Sequence, residues 1–120
     1  MNVRDWLCTW DTFHEVDKCL FETFVATVDD EMVASLGVWG YNGYISELGS
    51  FQSNKNVNEH LFGTDAVKWE VIRWGSQQGF REFDLTGTVE NATPKELAIR
   101  QFKEKWGGDV RPYLVVWRKN

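Results

Sequence analysis

The sequence predicts an α+β domain whose sheet is mixed, mostly antiparallel, and contains one parallel pair, in the element order β-β-β-α-β-α-β. Three observations predict it. Tight-turn signals join runs of β-forming residues in the first half, at Asp29-Asp30-Glu31 and Tyr41-Asn42-Gly43. The apolar spacing then changes to a helical period after Gly63. Finally, Thr93-Pro94-Lys95-Glu96 has the pattern of a capping box with proline at the first helical position, which opens a second helix.

Taken in order, residues 11–18 fit either a short helix or a loop. Residues 21–28 (FETFVATV) alternate in part and are rich in β-formers, so they read as a strand. Residues 32–39 (MVASLGVW) form the second strand and 44–51 (YISELGSF) the third. Asn-Gly between these two is a strong hairpin signal, because both residues tolerate positive φ. Residues 52–63 make a polar connection. Thr64 or Asp65 can cap the next helix. Ala66, Val67, Val71, Ile72 and Trp74 mark its apolar face, and Gly79 stops it. Residues 81–85 (REFDL) form a short strand, and the intervening helix is long enough for a crossover, so this strand runs parallel to the third. A loop follows at 86–92. Leu97, Phe102 and Trp106 mark the buried face of the second helix, which Gly107-Gly108 ends. Residues 110–117 (VRPYLVVW) read as a last strand, with Pro112 placing it at an edge or strand start.

The chain has 120 residues, enough for one domain and not two, with no repeat, linker or low-complexity segment. Apolar residues are 42% and charged residues 26% of it, which is a globular balance and not a disordered one. Seven Trp enlarge the core that so small a domain can build. The net charge is −5, and no run of Lys and Arg tracks a phosphate backbone, which argues against DNA as a partner. Cys8 and Cys19 are the only cysteines and make no framework or C-x-x-C pair. His14 and His60 have no ligand-like spacing with them, so no metal is expected. No signal peptide or membrane-length apolar run is visible, and the expected location is the cytoplasm, with no membrane association.

The element order is similar to the GNAT acyltransferase core from its second strand onward. Three motifs narrow the resemblance: Lys68-Trp69-Glu70-Val71-Ile72-Arg73-Trp74; then Gln78-Gly79-Phe80-Arg81-Glu82-Phe83-Asp84-Leu85-Thr86-Gly87; then Phe102-Lys103 with Trp106-Gly107-Gly108. Together they resemble the C-terminal subdomain of FemAB-like peptidoglycan-bridge aminoacyl transferases. The match covers about half of the chain. The resemblance implies transfer of an acyl or aminoacyl group from acyl-CoA or aminoacyl-tRNA to an amine, with no metal required. It also implies a domain lacking the usual first strand and two helices, whose exposed sheet edge invites pairing as a homodimer. CoA-dependent relatives carry a Q/R-x-x-G-x-G/A loop before the main helix. The corresponding residues 53–65 contain one glycine, Gly63. The other function class that fits the chain is a non-catalytic binding or interaction module keeping half of this fold.

The resemblance implies that Lys103 contacts an aminoacyl-RNA and that Phe102, beside it, lines the substrate; the bland alternative is a surface lysine next to a core phenylalanine. Asp84 ends a short strand beside a parallel partner, where open sheets often place ligands. It can orient an amine or act as a base, or cap loop amides near Gly87. Glu47 lies mid-strand, where some GNAT enzymes place a base. If Leu48 points into the core, alternation turns Glu47 to solvent, and that orientation is the one expected. Asn58, His60, Gly63 and Thr64 precede a helix N-terminus and can receive the anionic part of a donor, or form an ordinary capped loop.

Overall fold

The computed structural model describes residues 2–16, 19–87 and 93–119. These fall into two compact units, Met1–Thr86 and Gly87–Asn120. The first contains helix α1 (Val3–Glu15), strands β1 (Cys19–Val28), β2 (Glu31–Tyr41) and β3 (Tyr44–Gln52), the short helix α2 (Asn54–Asn58), helix α3 (Gly63–Gln77) and strand β4 (Glu82–Asp84). The second contains helix α4 (Pro94–Glu104).

The sheet has the order β1-β2-β3-β4; β1–β2 and β2–β3 are antiparallel, and β3–β4 is parallel. Both antiparallel connections are two-residue turns. Asp29 (φ 51°) and Asp30 (φ 62°) join Val28 to Glu31, and Asn42 (φ 51°) and Gly43 (φ 81°) join Tyr41 to Tyr44. Turns with positive φ at both positions match the twist of the strands they join.

Helices cover both faces of this sheet. Successive residues of a strand point to opposite faces. Leu36, Val38 and Ile45 therefore form a core with Val67 and Val71 of α3, with Phe24, Trp74, Phe80 and Phe83 packed against it. On the other face, Trp6 of α1 stands edge-on to Phe21 at 4.8 Å, and Phe13 reaches Trp39 at 6.2 Å. Gly37 gives Trp6 its place, since a Cβ there would lie 2.6 Å from the indole. Aromatic amphipathicity makes α1 a helix, and Asn2 caps it by accepting the Asp5 N–H at 2.9 Å. Of residues 11–18, which the sequence leaves open, 11–15 thus belong to a helix, while 17 and 18 lie outside the described residues. Full burial of a Val, Ile or Phe contributes roughly 1.5–3 kcal/mol, so the α3 face is the main source of cohesion.

Three expectations need correction. Residues 110–117 form no strand, and Leu114, Val116 and Trp117 are exposed. A strand requires a ladder partner, and β-forming composition supplies none. Helix α3 is not capped by Thr64 or Asp65. It begins at Gly63, one residue after Phe62, which adopts a left-handed φ of 55° without a capping side chain. Residues 52–63 are also not all loop, because Ser53 caps the short helix α2 through the Asn56 N–H at 3.1 Å. The stop at Gly79 and the capping box at Thr93–Glu96 are present as expected. Among the described residues, no helix is long and apolar enough to cross a membrane.

Candidate functional site

The parallel β3–β4 ladder is short. It joins Tyr44 to Glu82, Ile45 to Phe83 and Ser46 to Asp84, and then ends. From Glu47 onward, β3 pairs only with β2 among the described residues. A β-bulge coincides with this split: Val38 pairs with Glu47 and Gly37 with Gly49, so Leu48 has no partner on β2. Bulges of this kind re-aim side chains and are frequent beside functional sites.

Two polar pairs flank the split on opposite faces of the sheet. On the α3 side, Glu47 meets Lys68 in an ion pair, and the two side chains are 13% and 5% exposed. The Glu47 Oε1 atom is buried and is matched by the ammonium's charge without a directed hydrogen bond. On the α1 side, the Tyr44 hydroxyl donates to Asp84 Oδ2 at 2.8 Å, and Asp84 Oδ1 accepts the Thr86 N–H at 2.8 Å. Trp39 lies next to Tyr44, with ring centroids 6.2 Å apart.

Helix α3 runs antiparallel to β3, so its N-terminus sits at the Gln52 end of that strand. Lys68 faces Glu47, a Cβ at Gly75 would meet Ile45 at 2.8 Å, and one at Gly63 would meet Ala34, the partner of Gln52. The N–H of Gly63, the first of this helix, donates to Asn56 Oδ1 at 2.7 Å. Asn56 is buried, and its Nδ2 donates to Gln52 Oε1 at 3.0 Å. A side-chain amide thus occupies the point where an anion would meet the first amide of the helix.

A scan against known protein families finds no match, and no curated protein is similar in sequence. Solved structures are similar in shape. A structure of AAC(6')-Iy in complex with the bisubstrate analogue CoA-S-monomethyl-acetylneamine matches with a TM-score of 0.71 at 16% identity, over 99% of this chain and 81% of that one. The aminoglycoside antibiotic 6'-N-acetyltransferase AAC(6')-Ih from Acinetobacter baumannii matches with a TM-score of 0.66 at 15% identity, over 100% and 82%. A transcriptional regulator from Bacillus halodurans C-125 matches with a TM-score of 0.63 at 15% identity, over 97% and 76%.

The chain has the GNAT fold.

Within the GNAT fold, the structure brings Glu47 and Asp84 to the same strand split, on opposite faces. The expected orientation of Glu47 is overturned. Glu47 shares the face of Ile45 and pairs with Val38, both in the α3 core, whereas Leu48 is the bulged residue and is 37% exposed. Asp84 combines the local amide capping expected of it with a long-range bond to Tyr44.

The candidates before α3 diverge. Gly63 is buried and already bonded, Thr64 follows it in the first turn, and Asn58 and His60 are exposed. In the second unit, Lys103 Nζ donates to Gly87 O at 2.9 Å, and Phe102 packs edge-on to Trp106 with the Lys105 ammonium 4.3 Å over its ring. Lys68, Asn56 and Tyr44 are the residues that sequence reasoning missed. A lysine at an apolar helical position next to Val67 and Val71 is the one signal that points to Lys68, since lysines are rarely buried without a partner.

A surface depression of about 370 Å³ lies at the hairpin end, lined by Asn42, Gly43, Gln78, Gly79, Phe80 and Arg81. It includes none of these site residues. Among the described residues, no group of three His, Cys, Asp or Glu is arranged to hold a metal ion.

Proposed function

We propose that this chain is an N-acyltransferase that lays its acyl donor along the free edge of β3 and receives an amine at the strand split. The observation that carries the reading is the end of the β3–β4 ladder after Ser46 and Asp84. It leaves a run of backbone donors and acceptors leading from Glu47 toward the N-terminus of α3. An extended amide-containing arm, such as that of acyl-CoA, pairs with such an edge as an added strand would.

In this reading the donor's acyl carbonyl lies at the bulge, where the N–H of Leu48 stabilises the oxyanion. Thr64, in the first turn of α3, and the flanking Asn58 and His60 receive its anionic portion. Asn56 competes at Gly63, so this grip is weaker than a glycine-rich loop provides. Glu47 takes the proton of the amine, and Asp84, held by Tyr44, orients it. The likeness to proteins described as aminoglycoside acetyltransferases and as CoA complexes supports acyl-CoA and a small amine.

The FemAB-like motifs support a finer version. There the donor is aminoacyl-tRNA, Lys103 and Phe102 contact it, and the chain works in the cytoplasm as a homodimer that covers the free edge of β1. A second reading, a non-catalytic binding module, is favoured by one observation: the Asn56 side chain fills the anion position at Gly63.

Transfer from acetyl-CoA to neamine, followed by release of free thiol, tests the main reading. Thermal unfolding with CoA accompanies it. A donor at about a hundred times its dissociation constant stabilises the fold by about 2.7 kcal/mol. Turnover is expected. Binding of CoA without turnover supports the module instead.

A further inference from the structure

Among the described residues of the first unit, the Lys68–Glu47 pair holds the most heavily buried charge, and it lies one residue beyond the end of the β3–β4 ladder. For stability alone the pair is a poor choice. Removing two charges from water costs as much as their attraction returns, and apolar residues of similar volume usually serve at least as well. The surroundings would suit such residues: Val67 and Val71 flank Lys68 on α3, and Val38 is the ladder partner of Glu47. A carboxylate held beside a cation, next to a β-bulge and the end of a ladder, instead points to a functional site.

We infer that Lys68 is a positioning residue for the general base Glu47, fixing its carboxylate at the split for the arriving amine. The inference rests on the acyltransferase reading. In the step it serves, the Glu47 carboxylate takes one proton from the ammonium form of the acceptor, giving a free amine and a neutral carboxyl. The amine nitrogen bonds to the acyl carbon, the carbon–sulfur bond of the thioester breaks, and the second nitrogen proton goes to the departing thiolate. The carboxyl then loses its proton to solvent. The products are an amide, a free thiol and one proton, and no other reactant is required. Lys68 touches none of the reacting atoms. Its effect is transmitted entirely through Glu47.

The test uses acetyl-CoA and neamine with the full chain. E47Q is expected to lower kcat by about 10²–10⁴-fold, the usual range for loss of a general base. K68M is expected to lower kcat at least tenfold with the KM for acetyl-CoA unchanged, and K68R to retain most of the wild-type rate. In the E47Q background, K68M should cause no further loss, because a residue acting only through Glu47 has nothing left to act on. The swapped pair E47K/K68E separates position from structure. It restores an ion pair and is expected to match the wild-type unfolding temperature while remaining inactive. Should K68M fail to fold, K68Q, which keeps a hydrogen-bond donor and loses the charge, carries the test with the same expected loss. Apart from turnover, the Lys68 ammonium resonance in a ¹⁵N spectrum should shift when neamine is added alone. Outcomes differ for each layer of the argument. A wild-type chain with no transfer overturns the acyltransferase reading and the role together. Transfer that E47Q leaves intact overturns Glu47 as the base. Transfer lost in E47Q but kept in K68M or K68Q overturns the role of Lys68 alone, and transfer kept in the swapped pair overturns Glu47 as the base.

Discussion

The Gly63 N–H donates to Asn56 Oδ1 at 2.7 Å, so the first amide of helix α3 is satisfied by a buried side chain from the short helix before it. The same asparagine ties back to Gln52 at the end of β3. One residue therefore fastens the helix start to the strand end. Asn56→Ala leaves a buried N–H without its acceptor, at a cost of about 1–3 kcal/mol. Chemical denaturation should show a lower midpoint with an unchanged slope. A midpoint equal to that of the wild type would mean that water or backbone replaces the amide fully.

Gly37 gives Trp6 room to lie on the sheet. Gly37→Val places branched carbons where the indole sits, and overpacking of this kind typically costs about 1–3 kcal/mol. The near-ultraviolet circular dichroism of the tryptophans should weaken as α1 shifts, while α3 retains its amide-exchange protection. Equal loss of protection in both helices would refute the separate docking of α1.

Tyr44→Phe removes the hydroxyl that donates to Asp84 Oδ2. A hydrogen bond to a charged group contributes about 1.5–3 kcal/mol, reduced here by partial exposure. The variant should be slightly less stable and should raise the KM for the amine more than for the donor. A change confined to the donor KM would place Asp84 on the wrong substrate.

The Glu96 carboxyl lies below its ordinary pKa, first because the Thr93 backbone N–H donates to it at 2.6 Å and then through the Thr93 side chain. A carboxyl depressed in the folded state stabilises the α4 start at any pH above its ordinary value. That contribution fades as the pH falls through the lowered folded value. The Thr93 amide resonance should follow this acid transition, and Glu96→Gln should abolish it. A titration at or above the ordinary glutamate value would contradict the capping geometry.

Local signals in the sequence were legible where one short segment determined the outcome. Asn42-Gly43 specifies its own turn, Thr93 to Glu96 its own cap, and the spacing of Val67, Val71 and Trp74 its own buried face. The features that failed depend on distant neighbours. Alternation counted from a core-facing Leu48 turns Glu47 to solvent, yet Leu48 occupies the bulge and helices cover both faces of the sheet. Residues 110–117 have strand composition but no ladder. Asn56 reads as one polar residue among many in a connection, and only the folded chain places it under Gly63. The fold was therefore more legible than the site, because the site arises where β3, β4 and α3 meet.

A map of backbone amide shifts on adding acetyl-CoA to the labelled protein tests the placement of the donor along β3. Changes are expected at residues 47–52 and at the first turn of α3, with little change at Asn42, Gly79 and Arg81. Shifts confined to the hairpin-end depression, or none at millimolar donor, would contradict the placement of an acyl donor along β3.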